Sequence, residues 1–200
     1  MAKTDFKIEK ISKSQAGTIL LKHHYLKDIS KGFKSGHNYG LFKEDHLVGV
    51  IVYTGLPVPE LATGMLGLGR DQQEGLFELS RLCLEPEIQK EEHNLASWFV
   101  SKSIRQLKKD TAVRVILSYA DSEFHGGTVY KACNFDYYGL STLKSDFWIY
   151  QLDGTFKKHS RGKTKGVKGE WRPRSRKHRY LMVFDKSLNV LWKKIERQVN

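Results

Sequence analysis

Residues 77–135 read FELSRLCLEPEIQKEEHNLASWFVSKSIRQLKKDTAVRVILSYADSEFHGGTVYKACNF, and this stretch decides the fold. Residues 77–84 alternate apolar and polar side chains and stop at a proline, which is typical of a half-buried strand. Residues 95–109 carry the broad apolar stripe of a helix that lies against a sheet, with Asn94 as its predicted cap. Residues 113–120 are mostly apolar and predict a second strand. A strand, helix and strand joined in this way predict right-handed parallel pairing.

Polar residues mark the carboxyl end of the second strand. Ser118, Tyr119 and Asp121 stand there, and ligands of open α/β sheets collect beyond the carboxyl ends of strands. These three residues are therefore candidate site residues. The alternative for Asp121 is that it caps the following turn, and the sequence does not decide between the two.

Flanking segments predict the rest of a mixed sheet. A capping box formed by Ser12 and Gln15 opens a helix that ends near residues 23–25. Runs with strand character predict further strands at residues 6–11, 38–42, 47–53, 137–140, 147–152 and 180–184.

Two segments are less regular in sequence. Residues 54–75 are rich in glycine and proline and predict a long loop of the kind that forms lids or binding loops. Their glycines precede a strand and do not open a helix, so a phosphate-binding loop is not predicted there. Near the C-terminus, apolar residues at helical spacing predict a last helix through Leu188, Leu191, Trp192 and Ile195.

Composition limits the class of protein. Two hundred residues suffice for one domain and are too few for two ordinary domains with a linker. No apolar run of about 18 residues is present, which argues against a membrane span. Cys83 and Cys133 are the two cysteines, and because they do not form a CxxC pair, a reduced cytoplasmic compartment fits. The adjacent His23 and His24 point to different sides of a helix, so no metal site is predicted.

The net charge of +12 is concentrated in one segment. Residues 157–179 hold 11 Lys or Arg and one Glu, whereas residues 1–156 hold 19 basic and 19 acidic residues. A block of this density favours a nucleic-acid contact over a merely solvated loop. We therefore predict a catalytic domain of residues 1–156 and 180–200 that carries a basic nucleic-acid-binding insertion of residues 157–179. The predicted contacts are Lys163, Lys165, Lys168, Trp171, Arg172, Arg174, Arg176, Lys177, His178, Arg179 and Tyr180.

The order of elements resembles the acetyltransferase fold of the GNAT superfamily. Residues 130–135, YKACNF, are similar to the YxxxGF signature of that superfamily, with Asn134 where glycine is usual. The resemblance implies an α/β single domain with a mixed central sheet and helices on both faces. It also implies that Tyr130 acts as a general acid toward the leaving group. The alternative from the residues alone is a tyrosine packed against the sheet.

One stretch departs from the GNAT pattern. GNATs usually open the long helix with a glycine-containing loop whose amides hold the pyrophosphate of coenzyme A. Here residues 86–94 read PEIQKEEHN, with several glutamates and no glycine. Carboxylates at a helix start repel a pyrophosphate, so the sequence argues against the standard mode of coenzyme A binding.

The chain resembles the Mom family of bacteriophage DNA-modification proteins more closely. The similar stretches are residues 23–25 (HHY), 78–82 (ELSRL), 94–97 (NLAS), 118–121 (SYAD), 125–127 (HGG), 130–135 and 177–180 (KHRY). The resemblance implies conversion of adenine in double-stranded DNA to N6-carbamoylmethyladenine, which protects phage DNA from restriction in the cytoplasm of the infected host. It implies catalytic roles for Arg81, Asp121, Tyr130 and Ser118, and substrate-binding roles for His23, Tyr25, Ser80, Asn94 and Tyr119.

The chemistry of that product constrains the acyl donor. Ordinary transfer from acetyl-CoA gives an N-acetyl group, whereas the carbamoylmethyl group joins N6 to a methylene and carries one more nitrogen. Glycyl-tRNA is therefore the hypothesis for the donor, with acetyl-CoA as the alternative, and tRNA becomes a further candidate partner. Two other functions stay open: an acetyl-CoA-dependent GNAT that acts on a protein or small molecule, and a nucleic-acid-binding protein without catalysis.

Overall fold

A computed structural model describes residues 5–24, 32–159 and 162–196. Five helices and ten strands occur in these ranges. In chain order they are β1 (Phe6–Lys10), α1 (Lys13–His23), β2 (His37–Lys43), β3 (His46–Gly55), α2 (Glu60–Leu66), β4 (Leu76–Leu84), α3 (Pro86–Glu91), α4 (Leu95–Asp110), β5 (Val115–Asp121), α5 (Thr128–Ala132), β6 (Asp136–Leu140), β7 (Ser145–Tyr150), β8 (Phe156–Lys158), β9 (Gly169–Pro173) and β10 (Lys177–Val183).

Seven strands form the central sheet in the order β1-β2-β3-β4-β5-β10-β6. Among the described strands, β4 and β5 are the one parallel pair, which confirms the predicted strand–helix–strand unit. Their register joins Leu76 to Val115 and ends at Leu79 and Ser118. Beyond that point the carboxyl-terminal parts of β4 and β5 are no longer paired with each other, so an opening forms where the two strands part.

Helices cover both faces of the sheet, as predicted. On β3, Ile51 and Tyr53 pack into the cluster that contains α4, while Val50 and Val52 pack with α1. The alternation of a strand places these two pairs on opposite faces. The α4 side is anchored by fully buried residues of that helix, among them Leu95, Phe99, Val100 and Leu107. Among the described residues, no helix is long and apolar enough to cross a bilayer.

The capping box of α1 forms as predicted. The Ser12 hydroxyl accepts a hydrogen bond from the Gln15 amide at 3.1 Å, and the Gln15 side chain accepts one from the Ser12 amide at 2.9 Å. Asn94 occupies the N-cap position of α4, as predicted, but it does not cap the helix through its side chain. Asn94 has φ +58° and its side chain makes no capping hydrogen bond. It provides the left-handed residue that turns the chain from α3 into α4, a conformation that Asn adopts more readily than most residues.

The predicted loop at residues 54–75 contains a helix. Helix α2 buries Ala62, Met65 and Leu66 in a cluster with Leu117, and Gly67 ends the helix with φ +70°. A short 3-10 turn follows at Arg70–Gln72. Burial of apolar residues stabilises this helix, and that tertiary contribution outweighs the glycine and proline content of the segment.

The predicted C-terminal helix does not form. Residues 184–196 contain no helix, and Leu188, Val190 and Trp192 pack at alternate positions against the α2 cluster. The extended segment is fixed by hydrogen bonds from the Leu191 amide to the Met65 carbonyl and from the Ile195 amide to the Tyr137 carbonyl, both at 2.9 Å. Apolar residues at these positions satisfy a period of two as well as a helical period, and packing selects the former.

A second, three-stranded sheet has the order β8-β7-β9 and is antiparallel. It brings the predicted basic segment into regular structure, because β8 and β9 both lie within residues 156–173. We refer to β7, β8, β9 and residues 162–168 as the small basic sheet. Its core is aromatic, and the rings of Phe147 and Trp171 lie 5.3 Å apart.

Candidate active site

A cleft of about 860 Å³ lies beside the opening between β4 and β5. The central sheet lines it with Glu78, Tyr119, Lys177 and Arg179. Helix α2 and the small basic sheet form other walls, through residues that include Leu61, Gly64, Phe147, Trp171 and Arg174. Five residues predicted from the sequence thus meet in one cleft: Tyr119, Trp171, Arg174, Lys177 and Arg179.

Burial shifts the pKa of acidic groups in the cleft. Burial raises the pKa of Glu78, and the positive charges of Arg81 and Lys34 oppose that shift. Burial likewise raises the pKa of Tyr119 to about 12, with a further contribution from the negative charge of Glu78. Glu78 was not among the site residues predicted from the sequence. The sequence does show a carboxylate on a half-buried strand, immediately before the point where β4 and β5 part. Hydrophobic periodicity, however, assigns such a residue only to the polar face of its strand.

Arg179 is held at the cleft by several contacts. Its Nη2 donates to the Tyr138 carbonyl at 2.6 Å, and its guanidinium lies 4.4 Å from the centre of the Trp192 ring. The Nε atom is buried without a hydrogen-bond partner among the described residues. Arg179 therefore retains a donor for a bound group, although burial lowers its pKa.

Asp121 is 5% exposed and forms an ion pair with Lys177. Its carboxylate also accepts from the Glu123 amide at 3.2 Å, and its backbone carbonyl accepts from the amides of Phe124 and His125. Burial raises the pKa of Asp121, but hydrogen bonds from Lys177 and Ser175 outweigh that effect and lower it overall. Asp121 thus caps the turn after β5 as an ionised carboxylate and also positions Lys177, which reaches the cleft.

The two predicted serines are committed to the backbone. Ser118 is fully buried and its hydroxyl donates to the Leu79 carbonyl at 3.1 Å, across the last parallel pair of β4 and β5. The Ser80 hydroxyl donates to the Val52 carbonyl at 3.1 Å. Both hydroxyls hold the edge of the opening between the strands.

Arg81 lies on the α1 face of the sheet because of a bulge at Ser80. In the pairing with β3, Tyr53 faces Leu79 but Val52 faces Arg81, so Ser80 is an extra residue. Arg81 therefore shares the face of Val52, and its charge together with burial lowers the pKa of His24 to about 4. Its Nη1 donates to the Ser80 carbonyl at 2.6 Å, while its Nε is buried and has no partner among the described residues.

The remaining predicted residues around α1 and α4 lie apart from this cleft. His23 ends α1 with its Nε2 3.5 Å from a carboxylate oxygen of Glu85. Tyr25 falls outside the described residues. Asn94 lines a depression at the start of α4 together with His93 and Ser97.

Tyr130 lies on the opposite face from Arg81. It is 5% exposed and packs in the α4 cluster, with its ring 5.6 Å from that of Phe135 and 5.4 Å from that of Tyr180. The structure therefore does not bring Arg81, Asp121 and Tyr130 into one pocket. Arg81 lies on the α1 face of the sheet and Tyr130 on the α4 face, and neither is among the residues that line the cleft. Asp121 acts on the cleft through its ion pair with Lys177.

Gly127 fixes the start of the helix that carries Tyr130. Its φ is +72°, and a Cβ there would lie 2.5 Å from the Tyr180 ring, whereas a Cβ on Gly126 meets nothing within 4 Å. We expect Gly127→Ala to lower the free energy of unfolding by about 2–3 kcal/mol, from left-handed backbone strain and overpacking. The matched variant Gly126→Ala should change it by less than about 0.5 kcal/mol. Chemical denaturation measures both, and equal losses would contradict this assignment.

The segment that replaces the pyrophosphate loop is helical. Helix α3 occupies Pro86–Glu91, and the amides of Gln89, Glu92 and Leu95 are used by carbonyls of the same segment. These amides are therefore not available to a phosphate. Among the described residues, no group of three or more His, Cys, Asp or Glu is arranged to hold a metal ion.

The basic residues divide into exposed and structural groups. Lys163, Lys165, Lys168 and Arg176 are exposed, and Trp171 is 62% exposed. Arg172 lies 4.0 Å from the centre of the Phe156 ring, and His178 Nδ1 lies 2.8 Å from the Tyr137 hydroxyl. Tyr180 is fully buried and its hydroxyl donates to the Gly126 carbonyl. Its predicted contact with DNA is therefore corrected to a packing role.

Comparisons with known structures identify the fold. A Bacillus subtilis acetyltransferase in complex with CoA is 15% identical, with a TM-score of 0.51 over 90% of this chain and 97% of that one. An IAA acetyltransferase from Bacillus cereus is 12% identical, with a TM-score of 0.54 over 90% and 99%. A GNAT family acetyltransferase from Elizabethkingia anophelis with acetyl-CoA bound is 11% identical, with a TM-score of 0.55 over 91% and 100%. The fold is therefore that of the GNAT acetyltransferases.

A search of curated proteins found no match. The model of the Mom protein family, in contrast, matches residues 5–199, which is nearly the whole chain. Family and fold together support a role in acyl transfer. The chain belongs to the Mom protein family.

Proposed function

We propose that the protein is an acyltransferase that converts adenine in double-stranded DNA to N6-carbamoylmethyladenine. The observation that carries the proposal is the position of the small basic sheet, which forms one wall of the cleft at the parting of β4 and β5. Cationic side chains on that sheet suit the DNA backbone, while the cleft suits the reacting base. Protection of phage DNA from restriction enzymes in the infected host follows as the biological role.

A base in a duplex is inaccessible to such a cleft, so the adenine must be flipped out of the stack. The volume of about 860 Å³ lies in the range of small-molecule sites and accommodates a nucleotide. The rings of Tyr119 and Trp171 line the cleft and supply surfaces on which a flipped base stacks. Lys177 and Arg174 offer cations for the phosphates that flank the flipped nucleotide.

The proposed chemistry balances with a glycyl donor. N6 attacks the glycyl ester of the tRNA, the ester C–O bond breaks, and the tRNA hydroxyl leaves with a proton. The free amine of the glycyl group then attacks C6 through a five-membered ring. When the C6–N6 bond breaks, the ring opens to the carbamoylmethyl product without gain or loss of atoms. This scheme assigns the protonation of the leaving oxygen to Tyr130 on the α4 face of the sheet and the stabilisation of the carbonyl oxyanion to Arg81 on the α1 face. It therefore requires the reacting ester to lie in the opening between β4 and β5, where groups from both faces can meet.

The helical segment at the start of α4 supports tRNA over coenzyme A as the donor. The amides of Gln89 and Glu92 are used within the α3 segment, and the helix carries Glu87 and Glu91, which disfavour a pyrophosphate at this position. The small basic sheet also provides a binding surface for a second polyanion, such as the acceptor stem of a tRNA. DNA and tRNA would then both lie near one cleft.

Labelled donors test both the function and the donor. Purified protein is incubated with duplex DNA and glycyl-tRNA whose glycine carries nitrogen-15, and the nucleosides are analysed by tandem mass spectrometry. The scheme predicts that the label remains on the adenine ring carbon after loss of the carbamoylmethyl group, because the glycine nitrogen replaces N6. A product obtained from acetyl-CoA alone would exclude the glycyl donor, and a label in the terminal amide would exclude the rearrangement through C6.

A further inference from the structure

Glu78 is a carboxylate of the cleft for which contacts with other described residues suggest no structural role. It lines the cleft beside Tyr119 and is partly buried. Within residues 5–24, 32–159 and 162–196, no group donates a hydrogen bond to its side chain. Glu60, a carboxylate of α2 that also lines the cleft, differs because it pairs with Arg70 at 2.5 Å. Glu78 thus presents an unused pair of oxygens to whatever enters the cleft.

Resting on the proposed function, we propose that Glu78 in its neutral form holds the flipped adenine by its Watson–Crick edge. The carbonyl oxygen of the acid accepts a hydrogen bond from N6, and its hydroxyl donates one to N1. The two hydrogen bonds match the adjacent donor and acceptor of adenine. They leave the second hydrogen of N6 directed toward the acyl donor, so Glu78 acts as a positioning residue.

Two facts support a neutral acid at this position. Burial raises the pKa of Glu78, and an adjacent N1 lone pair would favour the protonated form further. The charged groups that face it are Arg81 and Lys34, which oppose the shift, and the cleft also contains Lys177 and Arg179. An ionised carboxylate would still accept from N6 but would repel N1, so the paired contact requires the proton.

The variant Glu78→Gln distinguishes a hydrogen-bonding role of Glu78 from a role as general base. In Glu78→Gln the amide oxygen accepts from N6 and the NH2 group donates to N1, so the pattern of hydrogen bonds is retained. A base could not be replaced by an amide. Glu78→Ala removes both contacts, and Glu60→Gln is the matched control for loss of a carboxylate from the same cleft.

The experiment compares duplexes that contain one target adenine or one 1-deazaadenine, which keeps the amine but lacks the N1 acceptor. The full chain and its variants act on each duplex with glycyl-tRNA and acetyl-CoA both present, and the modified nucleoside is quantified. Wild type and Glu78→Gln should lose about 10-fold or more in kcat/KM on 1-deazaadenine. Glu78→Ala should be about 10-fold or more slower on adenine and should discriminate between the two bases about 10-fold less than the wild type, with a residual difference because the attack on C6 itself draws on N1. Glu60→Gln should match the wild type.

The outcomes separate the inference from the function on which it rests. Wild type that uses both duplexes equally, or Glu78→Gln as inactive as Glu78→Ala, would overturn the role of Glu78 alone. Absence of any modified adenine from the wild type on the ordinary duplex would overturn the proposed function, and the inference with it.

Discussion

Binding to duplex DNA should weaken roughly 100-fold at physiological salt when four exposed lysines of the small basic sheet are replaced by glutamine. The four are Lys157, Lys163, Lys165 and Lys168. Each phosphate contact releases about one condensed counterion, so the plot of log K against log salt should also become less steep by up to about 3–4. Fluorescence anisotropy at several salt concentrations measures both quantities.

A control variant tests whether the position of the lysines matters or only the net charge of the protein. Glutamine at four exposed lysines of α3 and α4 changes the net charge by the same amount; these are Lys90, Lys102, Lys108 and Lys109. Because α4 covers the sheet face opposite to α1 and α2, this variant should bind DNA within about threefold of the wild type at physiological salt, where long-range charge effects are screened. Equal losses in the two variants would show that overall charge, and not the small basic sheet, carries the binding.

Tyr130→Phe should lower the rate of modification by about 100-fold or more, since general acid catalysis contributes that much. The ring packs between Phe135 and Tyr180 and is retained in the variant, so the melting temperature should change little. The measurement is single-turnover formation of the modified nucleoside, alongside thermal unfolding.

Tyr53→Phe is the control for this prediction. Tyr53 is a fully buried tyrosine of the same cluster, and its hydroxyl lies 2.8 Å from that of Ser103. Its loss should reduce stability by about 1 kcal/mol and leave the rate unchanged. If Tyr130→Phe modifies adenine at the wild-type rate, Tyr130 is a packing residue and another group must protonate the leaving oxygen.

The sequence predicts the parallel unit at the centre of the sheet because its patterns are unambiguous. Residues 77–84 alternate apolar and polar side chains, and residues 95–109 carry one apolar stripe. The strands before and after this helix are separated by a length that suits a parallel crossover connection. The C-terminal segment was ambiguous, since Leu188 and Trp192 fit a helical period and a period of two equally well. Packing against the α2 cluster and the hydrogen bonds to Met65 and Tyr137 decide the outcome.

The site was less predictable because it depends on which face each side chain takes. A strict alternation would place Arg81 on the face of Leu79, but the extra residue at Ser80 moves it to the other side. Glu78 gains its significance from burial and from the cleft beside it, neither of which a sequence displays. The family resemblance pointed to Arg81 and Tyr130, and the structure places these two residues on opposite faces of the sheet.

The most direct measurement is the nucleoside composition of DNA from bacteria that express the protein, compared with bacteria that express Tyr130→Phe. The account predicts a deoxyadenosine derivative heavier by one glycine residue in the first sample and strongly reduced in the second. Unmodified adenine from cells that contain the folded wild-type protein, or adenine that carries only an acetyl group, would contradict it.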